Sequence, residues 1–167
     1  MTPLKCDLIF YLARQTGYCE RALKKQLSEL GISLNSVGAS TTPETLGEKL
    51  CESFSRCNLV FIIGGLGFSG PKGLSEVLSK AISSTKVTSE NVRKLKNQSG
   101  KQYGYLIRCG RQTIVAFPDK PRELTEMFSP ELSEYLKITY NLYLSKTKGA
   151  VANIIICVSP FFTVIFF

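Results

Sequence analysis

Five glycines and two polar side chains lie within ten positions and have the clearest capacity for binding chemistry in this chain. The glycines are Gly64, Gly65, Gly67, Gly70 and Gly73, with Ser69 and Lys72 between them. Glycine lets the backbone adopt positive φ and approach a ligand closely. Backbone N–H groups and a serine hydroxyl are suitable partners for a phosphate. A glycine-rich turn alone is a weak signal, so a tight turn without a ligand is an equal alternative.

The complete lack of histidine restricts the chemistry available to the chain. It excludes histidine-based triads, histidine general bases and the usual zinc sites. Carboxylates, lysines, hydroxyls, backbone amides or a bound ion remain. The six cysteines form no CxxC pair and accompany no secretion signal, so we expect reduced, mostly buried thiols in a cytoplasmic protein.

A strand and a helix are predicted on either side of the glycine turn. Leu59 to Ile63 is a continuous apolar run with branched side chains, as expected of a strand covered on both faces. Helical spacing follows at Leu74, Val77, Leu78 and Ala81. Open α/β sheets bind anionic ligands at such a strand-to-helix turn, because free N–H groups and the helix dipole point there.

The first half of the chain alternates between predicted strands and helices. The strands are 6–12, 32–37 and 59–63, and the helices are 18–30, 43–57 and 74–81. The second helix has Thr42 as its N-cap and Pro43 at its first position. This βαβαβα order is typical of a parallel sheet with right-handed crossovers.

In the second half of the chain, the pattern predicts a hairpin that follows a polar segment and precedes a helix. Residues 85–101 are polar and basic, and we expect an exposed excursion with a short helix. Two apolar strands, 103–108 and 113–117, flank a tight turn. Residues 124–136 then predict a helix with a bend near Pro130.

The apolar tail from Val151 to Phe167 contains no charged residue, and Pro160 interrupts it. Such a segment makes a poor membrane span, although Lys146 and Lys148 before it would suit a tail anchor. We favour one or two strands, or an apolar segment, docked on the domain, with membrane binding or self-association as the alternative. The expected organisation is an α/β domain over residues 1–145 and a docked tail over 146–167.

The net charge of +8 favours anionic partners. Basic residues cluster in one segment at Lys86, Arg93, Lys94, Lys96 and Lys101. A solvated face explains this cluster as well as an RNA contact would, and no nucleic-acid motif accompanies it. We therefore expect neither nucleic acid nor a membrane as the partner.

Two segments resemble the motifs of molybdopterin-binding (MoaB/MogA-like) domains. Val60 to Gly67 reads VFIIGGLG and is similar to the family's dlvittGGlG segment, and Leu66 resembles the version in CinA-type N-terminal domains. Thr113 to Phe128 reads TIVAFPDKPRELTEMF and is similar to ivvlPGvPxEmxxmf. The resemblance spans roughly residues 5 to 140, with both motifs in the family's order.

This resemblance implies a three-layer α/β/α sandwich with a mostly parallel sheet, often oligomeric, whose site crosses the carboxyl ends of the strands. The ligand would be a phosphorylated small molecule, either molybdopterin or an adenine nucleotide. By position, one wall of the site would contain Gly64, Gly65, Leu66, Gly67, Ser69 and Lys72. The opposite wall would contain Pro118, Asp119 and Pro121.

The chain departs from the family's pattern where acidic residues are expected. Lys72 occupies the position of an acid after the glycine turn, and residues 37–40 read VGAS in place of vgDd. Residues 13–17 stand where the family has an acidic residue followed by a turn of small residues. Because such carboxylates would hold a divalent cation, we expect no metal site and doubt a role for magnesium. Lys72 is equally open to two interpretations, a solvated residue at a helix start or a direct phosphate contact.

Asp119 replaces the glycine of the family's PG turn. Aspartate tolerates left-handed φ better than most residues, so we favour a structural substitution over a carboxylate returned to the site.

The function we favour is a binding module for molybdopterin or a nucleotide, with a degenerate metal site. The alternative is an enzyme, either a magnesium-dependent nucleotide pyrophosphatase or a molybdopterin adenylyltransferase, with acid groups from Glu20, Glu44, Glu76 or Asp119. A second alternative is an RNA- or protein-interaction module that uses the basic segment.

Overall fold

The computed structural model describes residues 3–83 and 91–145 as a sheet with helices on both faces. The strands are β1 (Leu4–Tyr11), β2 (Ile32–Ser40), β3 (Leu59–Ile63), β4 (Val92–Leu95), β5 (Gly104–Cys109) and β6 (Gln112–Phe117). The helices are α1 (Thr16–Glu29), α2 (Pro43–Arg56), α3 (Leu74–Ser83), α4 (Pro121–Met127) and α5 (Pro130–Tyr140).

The sheet has the order β2-β1-β3-β6-β5-β4 and is mostly parallel. Strands β2, β1, β3 and β6 run in one direction, and β5 is antiparallel to both of its neighbours. Ile63 at the end of β3 pairs with Phe10 of β1 and Phe117 of β6. The carboxyl ends of these three central strands therefore meet at one edge of the sheet, as the predicted parallel arrangement requires.

Alternation of side chains along the strands divides the core into two layers. One layer contains Leu8, Phe61 and Phe117 and is covered by α1, α4 and α5. The other contains Ile9 and Ile62 and is covered by α2 and α3. This arrangement confirms the predicted three-layer α/β/α sandwich, and it explains why β3 is apolar at every position.

Local sequence signals set several element boundaries where they were predicted. The Thr42 hydroxyl accepts a hydrogen bond from the Thr45 N–H at 3.3 Å, and α2 begins at Pro43. Gly110 has φ of 58° in the hairpin turn between β5 and β6. Strand β2 extends beyond the predicted end at Val37, because its pairing with β1 continues to Ser40.

The basic segment contains a strand that its charge did not lead us to expect. Within the described part, 91–101, residues Val92–Leu95 form β4 at the edge of the sheet. The predicted short helix stays a prediction, because residues 85–90 lie outside the described residues. Arg93 lies over the ring of Tyr135 at 5.6 Å, and Lys94 lies over the ring of Tyr103 at 5.3 Å. Charged side chains on an edge strand oppose pairing with another chain.

Two separate helices replace the single bent helix predicted near Pro130. Helix α4 ends at Met127, and the Ser129 hydroxyl accepts from the Leu132 N–H at 3.3 Å as the N-cap of α5. Pro130 lacks an N–H and occupies the first position of α5, where none is required. The chain therefore begins a new helix at this point.

The described cysteines are free thiols of unequal exposure. Cys6, Cys19 and Cys57 are buried, Cys109 is partly exposed and Cys51 is exposed. Burial raises the pKa of the Cys6 thiol above its ordinary value. Three of the five described cysteines thus have the predicted burial.

The predicted tail and the domain boundary before it lie outside the described residues, which end at Ser145. Within the described ranges, no helix is long and apolar enough to cross a membrane.

Candidate functional site

A cleft of about 260 Å³ lies at the edge of the sheet where β1, β3 and β6 end. Ten residues line it: Leu12, Arg14, Gly64, Gly65, Leu66, Gly67, Phe68, Gln102, Asp119 and Lys120. Ligands of open α/β sheets bind outside the carboxyl ends of the strands. A wider depression of about 690 Å³ lies over β4 and α5, away from these ends and from the glycine turn.

The glycine turn has a backbone path that only glycine can follow at two positions. Gly64 and Gly65 have φ of 102° and 74°. A Cβ atom on Gly64 would lie 2.3 Å from the carbonyl oxygen of Tyr11, and one on Gly65 would lie 2.4 Å from the Tyr11 ring. The turn therefore packs directly on the end of β1, which brings the two strand ends together.

Tyr11 also supports the chain beyond the turn. Its hydroxyl donates a hydrogen bond of 2.8 Å to the carbonyl of Lys72, which belongs to the 3₁₀ turn Gly70–Lys72. Burial, reinforced by the charge of Glu44, raises the pKa of the Tyr11 phenol. The phenol consequently stays protonated and keeps donating.

The glycine turn leaves three consecutive backbone donors available. Gly64 N–H donates to the Phe117 carbonyl at 2.9 Å, and the Gly65 carbonyl accepts from Leu74 at 3.0 Å. In the described part of the chain, the N–H groups of Gly65, Leu66 and Gly67 have no protein acceptor. Unpaired N–H groups at a turn before a helix are suited to an anion.

Asp119 forms the wall opposite the glycine turn and is bound to the start of α1. Its carboxylate accepts hydrogen bonds from the backbone N–H of Arg14 and from that of Gln15, the latter at 3.0 Å. The thiol of Cys19 also lies within hydrogen-bonding distance, at 3.7 Å. Helix α1 has no acidic residue in its first turn, and Gln15 supplies no side-chain cap. Asp119 therefore caps α1 from a distant part of the chain.

Asp119 does not adopt the left-handed φ considered for it from the sequence. Among the described non-glycine residues, only Leu12 and Asn141 have positive φ. The conformational freedom of glycine is thus not needed at position 119, and the carboxylate has contacts of its own.

The Cys19 thiol beside Asp119 has a raised pKa of about 12. Burial of the thiol is the main cause, and the negative charge of Asp119 adds to it.

A network of carboxylates holds the loop before β5 against the cleft. Glu123 is 5% exposed; it accepts from Lys120 at 2.8 Å and from the side-chain amide of Asn97 at 2.9 Å. Glu126 accepts from the Ser99 hydroxyl at 2.6 Å and from the Gln98 N–H at 3.2 Å. We refer to residues 97–102 as the cap loop.

The cap loop places Gln102 beside the glycine turn. A Cβ atom on Gly67 would lie 2.6 Å from Nε2 of Gln102.

The Glu126 carboxylate that anchors the cap loop has a pKa below its ordinary value. Hydrogen bonds lower this pKa, and the largest contribution comes from the Ser99 hydroxyl. The anchoring carboxylate is therefore charged at neutral pH.

The structure brings together in the cleft five of the nine residues selected from the sequence, and the other four are not part of its lining. Gly64, Gly65, Leu66, Gly67 and Asp119 line it. Ser69, Lys72, Pro118 and Pro121 are not among its lining residues. The Lys72 side chain is exposed, and its carbonyl accepts from Tyr11; a phosphate contact by this side chain stays a prediction.

Sequence reasoning missed the other five lining residues: Leu12, Arg14, Phe68, Gln102 and Lys120. Arg14 follows the carboxyl end of β1, and Lys120 lies inside the second motif, so both had a positional signal. Gln102 had none, because its position depends on contacts between the cap loop and α4.

Among the described residues, no group of three or more cysteine or acidic side chains is arranged to hold a metal ion. Asp119 is the one carboxylate among the described residues that line the cleft. Of the other acids considered, Glu20 pairs with Lys24 at 2.6 Å on α1.

Comparison with known proteins identifies relatives for most of the chain. A family model described as "Probable molybdopterin binding domain" matches residues 18–138. A curated protein of Clostridium tetani, strain Massachusetts / E88, whose name refers to competence-damage induction, is 26% identical over 145 residues. That match covers 69% of this chain and 36% of the relative, so this chain spans about a third of the relative's length.

Solved structures share the same fold. The molybdopterin biosynthesis enzyme MoaB from Thermus thermophilus has a TM-score of 0.64 at 13% identity, covering 83% of this chain and 97% of that one. The Mog protein of Mycobacterium ulcerans has a TM-score of 0.59 at 17% identity, covering 83% and 97%. A CinA protein of unknown function from Thermoplasma acidophilum has a TM-score of 0.55 at 14% identity, covering 83% and 96%.

Proposed function

The chain belongs to the molybdopterin-binding domain family, and we propose that its cleft binds a phosphorylated small molecule, either molybdopterin or an adenine nucleotide, without metal-dependent chemistry. The observation that carries this proposal is the set of unpaired N–H groups at Gly65, Leu66 and Gly67. They lie in the same cleft as the cationic side chains of Arg14 and Lys120. Backbone donors and fixed positive charges together favour a phosphate.

The residues present fit a phosphate group on steric grounds. Gly64 and Gly65 have no side chain where a Cβ would collide with Tyr11, and Gly67 leaves open the space beside Gln102. The glycine turn would hold the phosphate, and Arg14 and Lys120 would balance its charge. Phe68 is exposed at the same cleft and would offer an aromatic surface to a flat ring.

The lack of acidic side chains favours binding over catalysis. Carboxylates that hold a divalent cation are the usual means of phosphoryl transfer, and only Asp119 supplies one among the described cleft residues. Its oxygens already accept from Arg14 and Gln15. Both carboxylate oxygens of Asp119 are therefore already hydrogen-bonded at the N-terminal end of α1.

A thermal-shift screen tests this proposal. Molybdopterin, AMP, ATP and ADP-ribose are added with and without magnesium, since a ligand of the folded state raises apparent stability with the logarithm of its concentration over Kd. We expect stabilisation by molybdopterin or an adenine nucleotide that chelation of magnesium does not abolish. A lack of stabilisation by all four ligands would contradict the proposal.

Arg14→Gln and Arg21→Gln form a matched pair for the same screen. Arg14 directly precedes the N-cap of α1 and lines the cleft, whereas Arg21 lies within α1, over the Tyr18 ring, and does not line the cleft. We expect Arg14→Gln to weaken binding by about tenfold, the cost of one charge-assisted contact, and Arg21→Gln to leave it unchanged. Magnesium-dependent turnover of ATP with molybdopterin, or of ADP-ribose, would instead establish the enzymatic alternative.

Homo-oligomerisation and a cytoplasmic location are further parts of the proposal. The first rests on the resemblance to often oligomeric domains, and the second on the unpaired cysteines. Light scattering of the purified chain measures its oligomeric state directly.

A further inference from the structure

Asp119 occupies a position in the cleft where its charge bears on the choice of ligand. We propose that Asp119 acts as an internal anion that restricts the cleft to ligands with a single phosphate group. This inference rests on the proposed function and adds a selectivity to it. Position 119 is glycine in the motif that this segment resembles, so the selectivity would belong to this chain and not to the motif.

Asp119 already occupies the backbone donors at the α1 end of the cleft. Two carboxylate oxygens accept from the N–H groups of Arg14 and Gln15, and the Cys19 thiol lies beside them. A phosphate oxygen would need the same N–H groups and the same positive end of the helix dipole. A ligand phosphate is therefore excluded there while the carboxylate is bound.

The remaining backbone donors of the cleft are confined to the glycine turn. The unpaired N–H groups are those of Gly65, Leu66 and Gly67, on the other wall of the cleft. Once Asp119 takes the donors of α1, the glycine turn is the part of the cleft left to bind an anion. One phosphate fits this arrangement, and a second would face the Asp119 carboxylate.

The charged side chains that line the cleft favour one phosphate over two. Arg14 and Lys120 contribute two positive charges to the lining, and Asp119 contributes one negative charge, which leaves a single net positive charge. Glu123, which is buried outside the lining and 2.8 Å from the Lys120 ammonium, weakens this charge further. The cleft therefore attracts a first phosphate but gains little from a second.

The test measures calorimetric Kd values for inorganic phosphate and pyrophosphate with the full chain. Wild type is compared with Asp119→Gly, which frees the α1 donors, and Asp119→Asn, which removes the charge but keeps one oxygen. Glu29→Gln is the control, because it removes one negative charge from the exposed, opposite end of α1. Circular dichroism establishes that each variant is folded.

We expect wild type to bind pyrophosphate no more than about threefold tighter than phosphate, and Asp119→Gly to increase that preference at least tenfold. Asp119→Asn should increase it by a smaller factor, and Glu29→Gln should leave it unchanged. In Asp119→Gly, added pyrophosphate should also shift the amide NMR signals of Arg14 and Gln15. If Asp119→Gly does not fold, the Asn variant decides the matter by the same preference.

An unchanged preference in folded Asp119→Gly would overturn the inference, as would an equal gain in Glu29→Gln. Failure of every variant to bind either anion would also overturn it. A strong pyrophosphate preference in wild type would do the same. None of these outcomes decides the proposed function, which fails only if wild type binds neither molybdopterin nor any adenine nucleotide in the separate screen.

Discussion

Two physical effects require glycine at Gly65, and Gly70 in the same loop shows only one of them. Its φ of 74° lies in the left-handed region, and a Cβ atom would come within 2.4 Å of the Tyr11 ring. Gly70 shares the positive φ, at 76°, but has no atom within 4 Å of its Cβ position. Substitutions at Gly65 and Gly70 therefore distinguish the cost of backbone strain from the cost of steric overlap.

We predict that Gly65→Ala lowers the free energy of unfolding by about 2–4 kcal/mol, because strain and overpacking both contribute. Gly70→Ala should cost only about 1 kcal/mol, from backbone strain alone. Urea unfolding of both variants measures the difference. Equal losses would mean that Tyr11 moves aside and that packing at the turn is not rigid.

Among the elements, α4 determines where the cap loop lies. Glu126 accepts from the Ser99 hydroxyl and from two loop N–H groups, those of Gln98 and Ser99, and Glu123 accepts from Asn97. Two successive turns of one helix thereby hold a loop that carries Gln102 to the glycine turn. The second motif of the chain thus shapes the cleft through this loop as well as through Asp119.

We predict that Glu126→Gln speeds hydrogen exchange of the Gln98 and Ser99 amides on the order of tenfold, because the acceptor loses its charge. Because the folded-state pKa of Glu126 is lowered, wild-type protection is present above the ordinary carboxyl pKa and is lost as pH falls through the folded value. Glu131→Gln on the exposed start of α5 is the control. Unaltered exchange in Glu126→Gln would show that backbone packing alone orders the loop.

Across the molecule as a whole, the Asp7 carboxylate links its own strand, β1, to β2 and α2. Pairing between β1 and β2 shifts register after Cys6, and the extra residue, Asn35, donates to Asp7 at 3.0 Å. Arg56 at the end of α2 donates to the other carboxylate oxygen at 2.8 Å. Asp7 is 1% exposed, so these bonds replace water in holding its charge.

The pKa of Asp7 lies below its ordinary value of 3.8. Burial alone would raise it, but the hydrogen bonds from Asn35 and Arg56 outweigh that effect. Because the folded-state pKa is depressed, the stabilising contribution is present above the unfolded pKa and is lost as pH falls through the folded value.

We predict that Asp7→Asn lowers the free energy of unfolding by about 1–3 kcal/mol at neutral pH, the range for a lost hydrogen bond to a charged group. The difference from wild type should shrink as pH falls below about 3.8. Urea unfolding across this range provides the measurement. Glu52→Gln removes the exposed partner of Arg56 and should have a much smaller effect; a constant difference at all pH values would contradict the ionic explanation.

Features that depend on neighbours in the chain could be predicted from the sequence. The apolar run of β3, the glycine turn after it and the Thr42 cap all follow from side-chain size, φ preference and short-range hydrogen bonds. These interactions join residues a few positions apart, so a local pattern predicts them. Two motifs in the family's order then indicated the three-layer fold.

The way in which distant segments share the cleft is a property of the folded chain alone. Asp119 lies 104 residues from Gln15, and nothing near it in the sequence indicates that it caps α1. Residues 92–95 form a strand because β5 offers a free edge, although their charge suggested an exposed excursion. Gln102 reaches the glycine turn because α4 holds the cap loop. Each outcome depends on long-range pairing, which a local pattern cannot specify.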